Sequence, residues 1–272
     1  AAGRVRGAFL TGKTWNIPIS AEKPERKKRA DISPKSLLQI LRREKEGQMP
    51  GGIYHKLQID MTYNSNHIEG SRMTHEQTRY IFETKTIGPA GQAIRVDDIV
   101  ETVNHFRCID MVIDHASFGL SERFTKALHR TLKTGTTDAG KDWFAVGEYK
   151  KFPNEVGGNP TAAPQEVEGE IKNLLHTYGA SKAKDLDDIL EFHVRFERIH
   201  PFQDGNGRVG RLLMLSECLR NHIVPFIITE ELKLFYYRGL QEWDHEKGFL
   251  RDTCLTAQDY FKKVMEYFKI PY

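Results

Sequence analysis

The stretch ERIHPFQDGNGRVGR, residues 197–211, places a histidine, a carboxylate, a Gly-Asn-Gly turn and two arginines next to one another. Apolar residues recur at helical spacing directly after it, at Leu212, Leu213, Met214, Leu215 and Leu219. This spacing predicts a buried helix that opens at the Gly-Asn-Gly turn. Amides at a helix start lack intrahelical partners and lie at the positive end of the helix dipole. The turn therefore has the character of a phosphate-binding site.

The backbone and the two arginines of this turn suit a phosphate chain. Gly205 and Gly207 carry no Cβ that would obstruct a ligand, and Asn206 tolerates the left-handed conformation that an anion-binding turn requires. Arg208 and Arg211 are three positions apart, so they share one face of the helix. Guanidinium groups placed in this way can both bind phosphate oxygens.

Two further side chains supply chemistry, and a third supplies an anchor. Asp204 offers a hard oxygen to Mg²⁺, which usually takes one or two protein carboxylates and completes its shell with phosphate and water. His200 is the titratable base of the loop, and its neutral imidazole can accept the proton of an attacking hydroxyl. Phe202 is expected to pin the loop to the core. Each residue alone has a common structural explanation, so the hypothesis depends on their combination.

Residues 200–211 resemble the signature of the Fic family, HPFx(D/E)GNGRxxR, at every defined position. The resemblance implies a nucleotidyltransferase that moves AMP from ATP to a hydroxyl side chain (Ser, Thr or Tyr) of a target protein, with release of pyrophosphate. The target could be the protein itself. By the same resemblance, His200 is the general base and Asp204 holds Mg²⁺.

The resemblance also divides the contacts with ATP. Gly205–Gly207 would form the anion hole, Arg208 would hold the β-phosphate and Arg211 the γ-phosphate. Relatives place a Tyr-Tyr pair against the nucleotide base, which points to Tyr237 as a base or ribose contact. Some relatives carry Asn where Asp244 falls, so the selectivity for adenine stays open. Aromatic residues at helical spacing are more often part of a core.

An upstream segment, residues 64–70, reads NSNHIEG and is similar to the inhibitory motif of the same family, (S/T)xxxE(G/N), through Ser65 and Glu69. In relatives with this order, the glutamate reaches the second arginine of the signature, here Arg211. A carboxylate paired with that arginine must be displaced before ATP binds productively. The alternative is a plain helix end, with Gly70 at the cap and Glu69 exposed.

Residues 147–164 contain a Gly-Gly and an Asn-Pro step between short extended pieces, which predicts an irregular hairpin. In the family this hairpin is the flap that binds the target segment through main-chain pairing, a known mode of peptide capture. The resemblance therefore assigns target binding to Val156, Gly157, Gly158 and Thr161. An ordinary surface hairpin is the alternative.

Composition fits a single globular body. The chain has 272 residues, a net charge of +3, 39% hydrophobic and 28% charged residues, which gives no strong case for nucleic acid. Its three scattered cysteines favour a reducing cytoplasm over a disulfide framework. No apolar run approaches the length of a membrane span. Residues 15–19 suggest an extended arm, and the basic run 25–29 suggests a solvated linker, with a nucleic-acid patch as the sharper alternative.

Helical patterns dominate the rest of the chain. Ser33-Pro34 is expected to start a helix, Thr74-His75-Glu76-Gln77 resembles a capping box, and further helices are predicted over 96–114, 121–133, 164–176, 186–199, 207–221, 231–243 and 256–268. We therefore expect an all-α, Fic-type helical domain with a small β-hairpin flap. Its parts would be an N-terminal arm and helix (1–50), an inhibitory-helix segment (51–90) and a catalytic core (91–272).

Two other functions stay open at this point. One is the reverse reaction, in which Glu69 orients a water that hydrolyses AMP from a modified protein, as in some relatives. The other is a regulator that binds ATP and transfers nothing. Relatives often form dimers, so a homodimer is also an open expectation, and the identity of the target protein cannot be read from the chain.

Overall fold

A computed structural model describes residues 9–20, 36–88 and 93–272, and the chain divides into two compact units, residues 1–34 and 35–272. In the first unit, β1 (Phe9–Thr11) and β2 (Thr14–Asn16) form an antiparallel hairpin, with Leu10 opposite Trp15. Residues 15 and 16 of the predicted extended arm are extended, but as part of a hairpin that the sequence did not predict. Strands of three residues are too short to show an alternating pattern in the sequence. The basic run 25–29 and Ser33-Pro34 lie outside the described residues.

The second unit is helical, apart from one small hairpin, within the described ranges. Its first helices are α1 (Leu37–Glu46), α2 (Ile53–Ile68), α3 (His75–Thr84), α4 (Val96–His115) and α5 (Glu122–Lys133). The strands β3 (Glu155–Val156) and β4 (Asn159–Pro160) follow. The remaining helices are α6 (Val167–Gly179), α7 (Leu186–Ile199), α8 (Asn206–Arg220), α9 (Lys233–Gln241) and α10 (Gly248–Tyr267). The predicted all-α class with a small hairpin is confirmed. No transmembrane-type segment occurs among the described helices.

Most predicted helices are present, but some ends differ. The last helix starts at Gly248 and not at the predicted Thr256. Its first turns bury Leu250 and Cys254 in a second apolar cluster around Trp243, so tertiary packing extends the helix beyond its own periodic pattern. A short 3₁₀ turn at Glu230–Leu232 precedes α9, where a continuous helix was predicted.

Helix α8 lies at the centre of this unit. Its apolar residues Leu212, Leu213, Leu215 and Leu219 belong to the main core, together with residues from α1, α2, α4, α5, α6, α7 and α10. Leu212 and Leu213 are completely buried, as the sequence predicted. Because the helix is surrounded, its polar residues are buried as well, and each of them needs a partner inside the protein.

The capping box predicted at Thr74 is present at the start of α3. Thr74 Oγ1 accepts a hydrogen bond from Gln77 N at 3.1 Å, and Gln77 Oε1 accepts one from Thr74 N at 2.9 Å. Because loss of such a cap leaves helix amides without partners, we expect Thr74→Ala to lower the free energy of unfolding by about 1 kcal/mol. Urea denaturation measures this change.

Thr256→Ala is the matched control, since Thr256 lies in the interior of α10 and its hydroxyl bonds only back to Asp252 O at 2.8 Å, as far as the described residues go. Alanine has the higher helix propensity at such a position. This control is expected to leave stability unchanged or slightly higher. Equal losses in the two variants would contradict the assigned cap.

Candidate active site

The turn between α7 and α8 carries the signature residues, and two left-handed residues set its course. His200 follows the last turn of α7 with φ 49° and ψ 62°. Gly205 precedes α8 with φ 84°, and Asn206 is the first residue of that helix. The expectation that Asn206 takes the left-handed conformation is therefore wrong. Gly205, which has no Cβ, takes it at lower cost.

The side chain of Asn206 closes the turn instead. Its Oδ1 accepts a hydrogen bond from Phe202 N, and its Nδ2 donates one to Phe202 O, both at 2.8 Å. Phe202 is fully buried, as predicted, and its ring stacks on His129 with 4.0 Å between ring centroids. His129 Nε2 lies 3.1 Å from the carbonyl oxygen of Asp204. The loop is thus fixed from the core side, which sets the direction of its side chains.

His200 is oriented by the helix that precedes it. Its Nδ1 lies 3.2 Å from the carbonyl oxygen of Glu197. A carbonyl can only accept, so Nδ1 carries the proton and Nε2 keeps a free lone pair. Burial lowers the pKa of His200 to about 4 and outweighs the opposing effect of the bond to Glu197. The imidazole is therefore neutral at neutral pH, which is the state that a general base needs.

Arg211 is held by the last turn of α2. Its Nε donates to Ser65 Oγ at 3.0 Å and its Nη2 to Ser65 O at 3.0 Å, while Glu69 Oε1 lies 2.7 Å from Nη2. The same Glu69 oxygen rests against the main chain at the start of α8, where a Cβ on Gly207 would meet it at 2.3 Å. Only glycine leaves room there. The carboxylate thus lies at a helix N-terminus, where an anion is favoured.

Glu69 is also the residue at which α2 ends, and Gly70 follows with φ 93°. A plain helix end, the alternative considered from the sequence, accounts for Gly70 but not for the contacts with Arg211. The hydroxyl of Tyr237 donates to the carbonyl oxygen of Ile68 at 3.4 Å, so α9 also contacts this helix end.

A second group of charges lies beside the turn and includes Asp204 and Arg208. Arg208 is 4% exposed, and its guanidinium bonds to both Glu101 and Asp204, at 3.4 Å from Asp204 Oδ2. Lys133 Nζ lies 2.5 Å from Glu101 Oε1 and 2.6 Å from Asp204 Oδ2. Burial alone would raise the pKa of Asp204, but the charges of Arg208 and Lys133 lower it to about 2. Asp204 is therefore ionised at neutral pH.

The hairpin of β3 and β4 is attached to the signature loop by Lys150. The backbone N of Lys150 donates to Pro201 O at 2.8 Å, and its Nζ donates to Ile199 O at 3.2 Å. Nζ also bonds to Asn154 Oδ1 at 2.7 Å and to Thr161 Oγ1 at 2.6 Å. The buried ammonium thus joins both ends of the hairpin to the residues on either side of His200. Burial lowers the pKa of Lys150 to about 8.

Glu197 forms part of the same wall. Burial raises the pKa of Glu197 to about 8, although the charge of Arg211 opposes this, so the carboxyl is largely protonated at neutral pH. Its Oε1 has no hydrogen-bond partner among the described residues. The neighbouring Tyr236 is fully buried, and its hydroxyl lies 2.6 Å from His193 Nε2. The Glu197 carboxyl lies at the edge of an open space, and its oxygens are 4.0 Å from His193 Nε2 and 3.9 Å from His200 Nδ1.

That space is a cavity of about 810 Å³, which is within the usual range for a small-molecule site. The structure brings Glu69, His200, Gly207, Arg211 and Tyr237 together in its walls, along with Val156, Gly157 and Thr161 of the hairpin. Asp204, Arg208 and Ser65 are not among the lining residues, but Ser65 contacts Arg211, and Arg208 contacts Asp204. Asp244 forms an exposed pair with Arg198 at 2.9 Å and is not among the lining residues.

The chain is similar to known proteins over most of its length. The solved structure of a Fic domain containing signaling protein from Bacteroides thetaiotaomicron matches 85% of this chain and 90% of its own, with a TM-score of 0.63 and 26% identity. The protein adenylyltransferase Fic of Nematostella vectensis is 27% identical over 187 residues, which is 67% of this chain and 42% of that protein. Residues 119–218 match the Fic/DOC family. The chain is thus similar to Fic proteins, and residues 119–218 are the part that the family match covers.

The chain covers only part of the length of the relatives that it matches. The protein adenylyltransferase Fic of Drosophila grimshawi is 27% identical over 183 residues, 66% of this chain and 36% of its own. The chain thus spans less than half the length of these curated relatives. The family match covers α5 to α8, so α2 with Glu69 lies outside the matched residues.

Four residues of this site were not predicted from the sequence: Glu101, Lys133, Lys150 and Glu197. Glu101 and Lys133 lie in the middle and at the end of ordinary amphipathic helices, where a charged residue is unremarkable. Lys150 belongs to a Lys-Lys pair that resembles a solvated turn. Glu197 could have been predicted as a site residue, because it lies three residues before His200 and this spacing places the two on the same side of a helix.

Lys150 is expected to keep the hairpin of β3 and β4, called the flap below, in its ordered conformation. Lys150→Met removes a buried ammonium together with its three hydrogen bonds, to Asn154 Oδ1, Thr161 Oγ1 and Ile199 O. Since hydrogen bonds to charged groups contribute about 1.5–3 kcal/mol, we expect amides of residues 152–161 to exchange with deuterium at least about tenfold faster. Hydrogen–deuterium exchange with mass spectrometry measures this.

The neighbouring Lys151→Met is the matched control, because Lys151 is exposed and its Nζ lies 3.4 Å from Asp142 O, away from the signature loop. Flap exchange should stay at the wild-type rate in this variant. Unchanged exchange in Lys150→Met would show that the ammonium does not hold the flap.

Proposed function

We propose that the protein transfers AMP from ATP to a hydroxyl side chain of a target protein, and that Glu69 inhibits this transfer. The observation that carries the proposal is the place of the Glu69 carboxylate, 2.7 Å from Arg211 Nη2 and directly against the backbone of Gly207. An anion at a glycine-rich helix start with an arginine beside it reproduces the chemistry of a bound phosphate. The relatives named protein adenylyltransferase support this reading.

ATP would lie in the cavity with its phosphates at the start of α8. The first main-chain amides of α8 lack intrahelical partners, and Arg211 supplies a buried guanidinium on the cavity wall. Arg208 would act from behind, next to Asp204, through the contact at 3.4 Å. Tyr237, which lines the other part of the cavity and is 41% exposed, is our choice for the base or ribose contact.

Asp204 fits the expected Mg²⁺ ligand. Its carboxylate is ionised, and its side chain is 49% exposed beside the turn, so a hydrated cation can reach it. The described residues contain no group of three or more acidic, histidine or cysteine side chains that could hold a metal, but Mg²⁺ bound with a nucleotide usually needs only one or two carboxylates. When bound, Mg²⁺ would neutralise phosphate charge.

The transfer itself is a single displacement at the α-phosphorus. His200 Nε2 accepts the proton of the target hydroxyl while the hydroxyl oxygen forms a bond to that phosphorus. The bond between the α-phosphorus and the oxygen that bridges to the β-phosphate breaks, and pyrophosphate leaves. The protein contributes position and charge compensation, and no covalent intermediate with the enzyme is needed.

The flap would hold the target peptide in position. Val156, Gly157 and Thr161 line the cavity, with Gly158 in the turn between β3 and β4. The exposed edge of this two-residue pair offers main-chain groups to an extended peptide, which would bring a hydroxyl of that peptide toward His200. Lys150 would keep the flap and the base in register.

Removal of Glu69 is expected to release the activity. In Glu69→Gly, the carboxylate no longer occupies the position beside Gly207 and Arg211, so ATP can bind fully. A buried charged hydrogen bond contributes about 1.5–3 kcal/mol, which corresponds to an increase of about tenfold or more in transfer of label from ATP carrying ³²P at the α-phosphate. Intact-mass spectrometry should show the added AMP on the protein or on a supplied target.

Two controls define this result. Glu76→Gln, a neutralisation at an exposed ion pair of α3, should leave transfer at the wild-type level. His200→Ala in the Glu69→Gly background should abolish it, and label that persists without His200 would end the base assignment. If wild type removes AMP from a modified target and Glu69→Gly loses this removal, Glu69 also serves the reverse reaction.

The pH dependence of transfer should reflect the low pKa of His200. The base works only when neutral, so activity is present above its pKa and is lost as pH falls through it. Because burial lowers this pKa to about 4, kcat/KM of Glu69→Gly should show no inflection near 6.5, the value of an ordinary histidine. Loss of the Glu69 charge lowers the pKa further. An acid limb near 6.5 would contradict the assignment of His200 as the titrating group.

A further inference from the structure

Lys133 is a buried cation that no part of the proposed transfer uses. It is the last residue of α5 and is 2% exposed. Its Nζ lies between two carboxylates, 2.5 Å from Glu101 Oε1 and 2.6 Å from Asp204 Oδ2. Asp138 lies farther away, at 3.9 Å, and has its own partner in Lys141 at 2.6 Å. The ammonium therefore belongs mainly to Glu101 and Asp204.

Arg208 joins the same two carboxylates from the other side. One guanidinium nitrogen bonds to Glu101 Oε2, and another lies 3.4 Å from Asp204 Oδ2. The four groups come from α4, α5, the signature loop and α8. Two positive and two negative charges sum to zero, so the group is neutral as it stands. A neutral group of this kind satisfies each buried charge without help from a ligand.

This arrangement matters for any cation that binds Asp204. A divalent cation would have to share Asp204 with an ammonium already at hydrogen-bond distance. Like charges at such separations repel strongly in a partly buried site. Neutralising Lys133 would change the group from neutral to a net charge of −1, which attracts a divalent cation more strongly.

The same ammonium has the opposite effect on a phosphate chain. The phosphates proposed to lie at the start of α8 would be close to Asp204 and Arg208. After Arg208 and Arg211, Lys133 supplies a third positive charge, which favours phosphate binding. Without Lys133, Asp204 would place an uncompensated negative charge beside the phosphates unless a metal covered it. Lys133 therefore compensates part of the negative charge of the phosphates, as a divalent cation would.

We propose that Lys133 is a built-in counter-cation of Asp204, which supports binding of a nucleoside triphosphate without metal and opposes binding of a divalent cation to the nucleotide-free protein. The inference rests on the proposed function for the identity of the nucleotide, but its first test does not. Lys133 acts through Asp204 and the phosphates as a positioning residue, and takes no part in the proton transfer.

The first test measures the metal alone. Mn²⁺ binding to the nucleotide-free protein is followed by electron paramagnetic resonance of the free ion, in wild type, Lys133→Met and Lys133→Gln. Both substitutions remove the positive charge, and glutamine keeps a hydrogen-bond donor, so at least one variant should retain the fold. We expect about tenfold tighter Mn²⁺ binding from the loss of one positive charge close to a divalent ion.

Three further substitutions test where the ion binds and whether charge is the cause. Glu101→Gln removes a negative charge from the same group and should weaken Mn²⁺ binding by a similar factor, while Lys262→Met, in an ion pair with Asp259 at 2.7 Å on α10, should change nothing. Asp204→Asn should abolish the tight binding seen in Lys133→Met, which places the ion at Asp204.

The second test measures ATP by calorimetry in the Glu69→Gly background. In EDTA, adding Lys133→Met should weaken ATP binding about tenfold, whereas with saturating Mg²⁺ the two proteins should differ by less than about threefold, since the metal replaces the missing charge. The dependence on metal is a readout that a simple loss of structure would not produce.

The proposal is overturned if Mn²⁺ binds a folded Lys133→Met or Lys133→Gln no more tightly than wild type, or if Lys133→Met weakens ATP equally with and without Mg²⁺. If both Lys133 variants unfold, Glu101→Gln decides, and unchanged Mn²⁺ binding there overturns it. Absence of any ATP binding to Glu69→Gly would instead refute the proposed function, and the Mn²⁺ test would still stand.

Discussion

The polar residues around α8 are arranged so that they satisfy two buried arginines of that helix. Arg208 and Arg211 are 4% and 5% exposed, and a buried guanidinium is costly unless its hydrogen bonds and charge are satisfied. The end of α2 supplies Ser65 and Glu69 to Arg211, and α4 supplies Glu101 to Arg208. Lys133, at the end of α5, balances the charge of Glu101 and Asp204. The loop at Asp204 completes the set. The site is therefore assembled by charge compensation around one central helix.

The two arginines are compensated in different ways. The partners of Arg208 form a closed, neutral group with Lys133, so that arginine is satisfied within the protein. Arg211 depends on Glu69, whose side chain is 29% exposed and lies at the end of a helix. A partner at a helix end can leave with a small local movement, while one in the middle of α4 cannot. Of the two arginines, Arg211 is therefore the one whose carboxylate partner is held less firmly by the surrounding structure.

Local patterns in the sequence predicted the signature turn, the capping box at Thr74, the contact of Glu69 with Arg211 and most helices, because each is encoded within a few residues or by a family motif. The contacts of Lys133 with Asp204 and of Arg208 with Glu101 join residues 71 and 107 positions apart, and nothing in a single chain marks such pairs. The left-handed residue of the turn is Gly205 and not Asn206. The sequence did not show that the Asn206 side chain closes the turn on Phe202. The start of α10 was missed because burial of Leu250 extends the helix.

The close approach of Glu69 to Gly207 restricts how this protein can evolve. A Cβ at position 207 would lie 2.3 Å from the carboxylate, so any larger residue there would displace Glu69 from the start of α8. The same side chain would also fill the place proposed for a phosphate. Position 207 therefore cannot change without disturbing both, whereas Glu69 can be replaced by a smaller residue without adding a side chain at the start of α8.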